Sequence, residues 1–378
     1  MIALSEPNLS GNEWKYIKEC LDTNWVSSVG KFVNEFEAMV ARYTGSGYAV
    51  ATSNGTTALH LSLLLAGVKA GDHVIVPNIT FVASVNSIAY VQAQPLLMDV
   101  DADTWQMDLE LLEKFLRNDC AIKHGDCVHM GTGKTISAIM PVHVLGNICD
   151  MERLMDLANA FNLKVVEDST ESLGSYYKGK HSGTFGIAGC LSFNGNKIIT
   201  TGGGGMLITD DAGVAKHAKH LSTQAKADAN EYYHDEVAYN YRLVNILAAM
   251  GVAQMEQLPS FIERKKEISA FYNNSFKNIP GISPQKIGDH VDANRWLYTI
   301  KAPRQKELRK FLREKGVDAR PFWVPMNRLP AFKESIYYTE TDVSSAVYND
   351  CLSLPCSTHI TNDQLQEVAG LVNDFYHD

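Results

Sequence analysis

Short apolar, β-branched runs recur along the first two-thirds of the chain, with longer stretches of mixed polarity between them. Tyr48-Ala-Val-Ala-Thr52, His73-Val-Ile-Val-Pro77, Pro95-Leu-Leu-Met-Asp99, Ile136 to Pro141 and Leu163-Lys-Val-Val-Glu-Asp168 predict buried strands. Helical patterns follow them at Thr57 to Ala66, Phe81 to Val91, Leu109 to Arg117 and Asp150 to Phe161. Strand then helix, repeated, implies a mainly parallel sheet covered on both faces. Gly189 to Phe193 and Gly205 to Thr209 predict two further strands around a loop that carries Lys197. Beyond Tyr241 the pattern changes: Leu243 to Leu258 reads as an apolar helix stopped by Pro259, and Phe261 to Phe276 as a charged amphipathic one. After Pro280 a smaller unit follows, with a strand at Trp296 to Ile300 and a helix at Gln305 to Lys315. The fold class is therefore α/β, with a large domain over 1–250 and a smaller α+β domain over 251–378. No repeat or low-complexity tract interrupts it.

At 378 residues, 45% hydrophobic and 20% charged, the chain has the composition of a globular protein with a large core. A net charge of −9 excludes a general nucleic-acid binder, which needs a basic face, but leaves room for a local basic pocket. Met1-Ile-Ala-Leu-Ser-Glu-Pro7 lacks a secretory leader pattern, and no apolar run reaches membrane-spanning length. The seven cysteines form no C-x-x-C pair, which fits reduced thiols in a cytoplasmic protein without a structural metal.

Lys197 lies in Asn194-Gly-Asn-Lys-Ile-Ile-Thr-Thr-Gly-Gly-Gly-Gly-Met206, on a turn between two strand-like runs. A desolvated lysine there loses its proton easily enough to act as an amine nucleophile. Asp168 ends a buried strand. An acid at a strand end and a lysine on a loop are what a pyridoxal phosphate site requires: one to pair with the pyridine nitrogen, one to hold the cofactor covalently. Thr52-Ser-Asn-Gly-Thr-Thr-Ala-Leu59 supplies a strand-to-helix turn suited to a phosphate, with Gly55 for close approach and the Thr56 and Thr57 hydroxyls as donors. Standing alone, those threonines read better as helix caps. Phe81 follows a strand and offers a ring for stacking, although a lone Phe is usually core. Ser192, five residues before Lys197, adds a hydroxyl for the phosphate. Gly131-Thr-Gly-Lys-Thr135 looks like the end of a P-loop, but Val128 stands where its first glycine belongs, and the surrounding 118–133 reads as a polar excursion with no strand feeding it.

Six segments, in order, resemble the DegT-type nucleotide-sugar aminotransferase family of fold-type I pyridoxal phosphate enzymes. They are Trp25 to Glu37, Ser53 to Leu59, Val76 to Val82, Glu167 to Glu171, Ser192 to Lys197 and Tyr239 to Arg242. The resemblance implies that Thr56, Thr57 and Ser192 hold the cofactor phosphate, that Phe81 stacks on its ring and that Asp168 pairs with its nitrogen. It places Glu171 near the phenolic oxygen, where relatives often carry Gln or His. Asn240 is implied to reach the neighbouring subunit's cofactor phosphate, which makes the protein a homodimer with composite sites. Ser27, Arg242 and Asn327 become candidate substrate contacts. For Arg242 the competing reading is a surface salt bridge, and for Asn327 the family more often has His.

The reading that follows is a transaminase passing an amino group from L-glutamate, with release of 2-oxoglutarate, to the C4 ketone of a nucleotide-linked 4-keto-6-deoxy sugar for surface glycans. UDP-4-keto-6-deoxy-N-acetylglucosamine is the preferred acceptor; GDP-perosamine synthesis, then a dTDP-linked keto sugar, are the alternatives. A sugar dehydratase on the same fold is disfavoured by Lys197, which relatives of that kind replace with His. A non-catalytic regulator is disfavoured by the intact Lys197 and Asp168. No metal is expected, and neither nucleic acid nor membrane is an expected partner.

Overall fold

The computed structural model describes residues 1–228 and 230–377. Its main sheet runs, in spatial order, Tyr48–Thr52, Gly205–Thr209, Ala188–Ser192, Lys164–Asp168, Thr135–Ile139, His73–Pro77, Gln94–Met98 and Ile336–Tyr338. From Ala188–Ser192 outward to Ile336–Tyr338 every neighbour is parallel, while Gly205–Thr209 lies antiparallel to both of its partners. All five residues of His73–Pro77 are buried, so the strand is apolar throughout instead of alternating. The mainly parallel α/β sheet and the strands read from the sequence are present.

Three expectations are corrected. The segment 118–133 is a hairpin, Cys120–Lys123 with Asp126–His129, whose second strand pairs with Thr135–Ile139. A strand therefore does precede the P-loop-like run, but Thr135 opens another strand, so the helix N-terminus a phosphate needs is missing. Second, the two helices expected around Pro259 are one, Asn245–Phe276, with Pro259 inside it. Proline removes one helical donor, and burial of Leu258, Phe261 and Ile262 on the adjoining turns outweighs that loss. Third, a cut at residue 250 separates neither core cleanly. The long helix serves the large core down to Ile262 and the smaller core from Ile268. Ile2 bonds with Gly316 and Asp318, and Cys356 N–H with Leu4, while Ile336–Tyr338 crosses back to edge the large sheet.

Two N-terminal helices absent from the sequence reading, Glu13–Asp22 and Lys31–Thr44, pack on the long helix. No described helix is long and apolar enough to cross a membrane. All seven cysteines are free and buried.

Gly251 lets the long helix approach Phe36 of the helix Lys31–Thr44 closely. A Cβ there would sit 2.8 Å from the Phe36 ring, and that ring packs 4.8 Å from Phe193, centroid to centroid, at the root of the Lys197 loop. Gly251→Val should lower stability to urea unfolding by about 1–3 kcal/mol through overpacking, and Phe36→Leu in the same chain should recover part of it. An unchanged midpoint would show that the contact is slack.

Candidate active site

Every strand that feeds the site delivers its residue at the same edge of the sheet. Thr56 and Thr57 follow Tyr48–Thr52, Phe81 follows His73–Pro77, Asp168 ends Lys164–Asp168, and Ser192 ends Ala188–Ser192 with Lys197 just beyond. A crevice outside the carboxyl ends of parallel strands is where α/β sheets place ligands.

Lys197 stands on a turn closed by its own N–H donating to Asn194 O at 3.0 Å. Its Nζ lies 3.8 Å from Glu171 Oε1 and 3.9 Å from the centroid of the Trp296 indole. Only 14% of the side chain is exposed. Burial holds the amine below the usual lysine range, against the opposing pull of Glu171 and Asp168. Glu171 shows the mirror effect: burial pushes its carboxyl up to about 7, although Lys197 and the Leu145 N–H, donating at 2.8 Å, favour the charged form. Leu145 makes that bond from a left-handed conformation, φ 60°, which is costly for a branched residue and is held by its surroundings.

Asp168 is fixed on several sides. Ser84 Oγ donates to one carboxylate oxygen at 2.6 Å, and Thr170 donates to the other through N–H at 3.1 Å and hydroxyl at 2.7 Å. Gly55 meets this group: a Cβ there would lie 2.9 Å from Ser192 Cβ and 3.1 Å from Thr170 Cγ2. The turn can approach Ser192 only as glycine. Ser192, Thr170, Glu171, Lys197, Asn294 and Trp296 line one small pocket.

The helix Gly55–Leu65 is capped by Asn54, whose side chain accepts from Thr57 N–H at 2.9 Å. The Thr57 hydroxyl closes the same box by accepting from the Asn54 N–H at 3.3 Å and also donates to Asn54 O at 2.7 Å, so its first role is capping. Thr56 is half-buried and its hydroxyl makes no bond to a described residue, which leaves it and the first helical N–H groups for an anion. Phe81 is 54% exposed and not core, with its ring edge-on to Trp323 at 6.5 Å.

The remaining candidates lie apart from that pocket. Arg242 is neither a surface ion pair nor an open contact: it is buried, pairs with Glu37 and donates to Ala51 O at 3.2 Å. Asn327 exchanges bonds with Asn78, accepting from its amide at 3.1 Å and donating its own N–H at 3.0 Å. Ser27 is exposed, and its carbonyl takes the Asn245 N–H at 2.6 Å. Asn240 is exposed on a segment that bridges to Thr223. Trp296 and Asn294 were missed by sequence reasoning. Trp296 Nε1 donates to Asn196 O at 2.7 Å, pinning the lysine loop from about a hundred residues away, and no local pattern announces that.

The donor set fits pyridoxal phosphate. A glycine cradle with spare N–H groups suits the phosphate, a buried carboxylate suits the pyridine nitrogen, and an amine held toward its neutral form suits covalent capture.

A model of the DegT/DnrJ/EryC1/StrS aminotransferase family matches residues 7–373. The chain is 39% identical to a protein of Escherichia coli O157:H7 named GDP-perosamine synthase, over 100% of this chain and 99% of that one. It is 33% identical to a protein of the same name from Vibrio cholerae, over 100% of both. The solved PLP form of a putative sugar aminotransferase from Streptococcus pneumoniae, Spr1654, superimposes with a TM-score of 0.88 at 27% identity, over 99% of this chain and 98% of that one.

Two measurements test this geometry. Because Glu171 binds its proton more tightly folded than unfolded, its contribution to stability is full below about 4.5 and is lost as pH rises through about 7. In cofactor-free protein Glu171→Gln should remove that decline, a difference of about 3 kcal/mol across the interval. Parallel pH profiles for the two proteins would refute it. Arg242→Met should cost about 3 kcal/mol by leaving the half-buried Glu37 with the Ala51 N–H but no cation, and the double change with Glu37→Met should restore most of it. A substrate-contact role would instead raise KM and leave unfolding untouched.

Proposed function

The chain belongs to the DegT/DnrJ/EryC1/StrS aminotransferase family, and we propose that it aminates C4 of a GDP-linked 4-keto-6-deoxy sugar, as a GDP-perosamine synthase. It is a transaminase whose cofactor is pyridoxal 5′-phosphate, which supplies the electron sink for moving an amino group. The acceptor sugar departs from the UDP-linked one preferred on sequence alone. What supports the change is end-to-end identity with proteins named GDP-perosamine synthase from three bacteria, at 39, 36 and 33%.

The residues divide the work. Lys197 Nζ would hold the cofactor and, its basicity lowered by burial, would accept and return the proton of the substrate carbon. Asp168, locked by Ser84 and Thr170, would pair through its carboxylate with the cofactor's ring nitrogen. At about 4 Å such a pair is worth roughly 4 kcal/mol at an effective dielectric near 20. Gly55, Thr56 and Ser192 hold the phosphate and Phe81 covers the ring. Glu171, whose carboxyl is pushed up to about 7 by burial, would meet the phenolic oxygen. L-Glutamate is the amino donor. Asn240 serves the partner's site in a homodimer, and the product enters surface glycan synthesis.

Purified protein should be yellow, and borohydride should fix the cofactor to Lys197 alone. With L-glutamate as donor, kcat/KM should favour a GDP-linked 4-keto-6-deoxy sugar over UDP- and dTDP-linked ones. A preference for the UDP-linked N-acetyl sugar would return the assignment to the first choice.

Asn240→Trp and Lys197→Ala should each be inactive, and mixing them should restore activity, because one site of the mixed dimer carries neither lesion. Silence after proven subunit exchange would mean that Asn240 serves its own subunit.

A further inference from the structure

Remote from the Lys197 pocket, two histidines and two carboxylates converge where the helix Ala212–Ser222 meets the segment that returns from the short hairpin Lys226–Asp228 and Tyr233–His234. His217 and His220 are one turn apart on one helix face, and Asp235 and Glu236 face them from the returning chain. His220 Nε2 lies 2.6 Å from Asp235 Oδ1 and 3.7 Å from Glu236 Oε1; His217 Nε2 lies 2.9 Å from that same glutamate oxygen. The donor atoms of His220, Asp235 and Glu236 all lie within 4.8 Å of one another. An open hollow of about 520 Å³ adjoins them, lined by His217, His220, Asp235, Lys216 and Lys219.

We propose that His217, His220, Asp235 and Glu236 form a binding site for a divalent transition metal, with Zn²⁺ the best match to the ligand set. Two imidazoles and two carboxylates are a nitrogen–oxygen set that tetrahedral zinc accepts. With zinc–ligand bonds of about 2.0–2.2 Å, tetrahedral ligands stand about 3.4 Å apart, and the observed separations of 2.6, 2.9 and 3.7 Å bracket that value. Those three pairs need to move by less than an ångström, while His217, which lies outside the group whose ligand atoms are all within 4.8 Å of one another, has to swing inward to complete the set. The two imidazole nitrogens select against Mg²⁺ and Ca²⁺, which take oxygen ligands, and Lys216 and Lys219 on the rim disfavour a loosely held cation.

The consequence is mechanical. The liganding segment leads into Tyr239 to Arg242, which is tied to the same helix end by Gln224 N–H donating to Tyr239 O at 3.0 Å and Tyr239 N–H donating to Leu221 O at 2.9 Å. Metal at this site staples both ends of that strap and so restrains exposed Asn240. The site does not depend on the reaction assigned above.

The test titrates Zn²⁺ calorimetrically into chelator-stripped, cofactor-loaded protein, free of any histidine tag. One site per chain is expected, together with a higher melting temperature, slower proteolysis within 226–240 and no response to Mg²⁺. His217→Gln with His220→Gln should weaken binding by roughly 10- to 100-fold or more, since a lost ligand costs at least what a lost outer-shell partner does. Asp235→Asn should weaken it too. All three positions are at the surface, and metal-free melting curves matching wild type would confirm folding. Zn²⁺ binding that survives the double change, or no binding to wild type at 100-fold excess over protein, overturns the proposal.

Discussion

The chemistry of this fold depends on lowering the basicity of one amine beside two carboxylates that favour its charge. Coulomb attraction alone would make Lys197 and Glu171 an ion pair. Burial opposes this from both sides, since removing each ion from water costs several kcal/mol after relaxation. The two shifts run toward neutrality together, lysine down and glutamate up. Their separation of 3.8 Å is longer than a charge-assisted hydrogen bond, as expected where desolvation outweighs attraction. Trp296 completes the enclosure by covering the amine with an indole face. That face favours a cation in its own right, so the depressed basicity measures how much water has been excluded.

Enclosure of this kind has to be assembled from rigid parts. The parallel strands end together and set the acid, the serine and the lysine turn on one edge, where none can drift without disturbing a buried strand. Gly55 and Gly251 then let backbone and helix approach closer than a side chain permits, one against Ser192 and the other against Phe36. Strain reaches the site itself. Leu145 accepts an unfavourable φ to aim its N–H at Glu171, a local cost that a fully buried neighbourhood sustains.

The sheet was legible in the sequence because strands buried on both faces are continuous apolar runs. His73–Pro77 and Lys164–Asp168 need no partner to be recognised. Asp168 was legible because it ends a strand, and Lys197 because it lies on the turn between two strand-like runs. Legibility failed where the deciding contact is distant. Pro259 reads as a stop, yet packing on both flanking turns carries the helix through it. Arg242 reads as a substrate contact or a surface ion pair, yet Glu37, some two hundred residues earlier, draws it inside. Thr57 could be a cap or a phosphate donor on spacing alone, and only Asn54's geometry shows that capping claims its hydroxyl first. Trp296 gave no signal, since its role rests on the Asn196 carbonyl and on the folded position of the smaller unit.

That position explains why the two cores act as one enzyme. The long helix runs through both, the first residues of the chain bond to the smaller unit, and Ile336–Tyr338 returns from it to the large sheet. Asn294 extends the coupling by donating to the Glu171 and Leu173 carbonyls at 2.9 Å, so the smaller unit grips the segment that carries the buried acid. A large domain severed at residue 250 would keep Asp168, Ser192 and Lys197 but lose Asn294 and Trp296 together. Water would then reach the amine and its basicity would return toward that of an ordinary lysine. The reactivity of Lys197 is thus set in one unit and conferred by the other, which is why the residues that name the chemistry cluster early in the chain while the residue that enables it lies late.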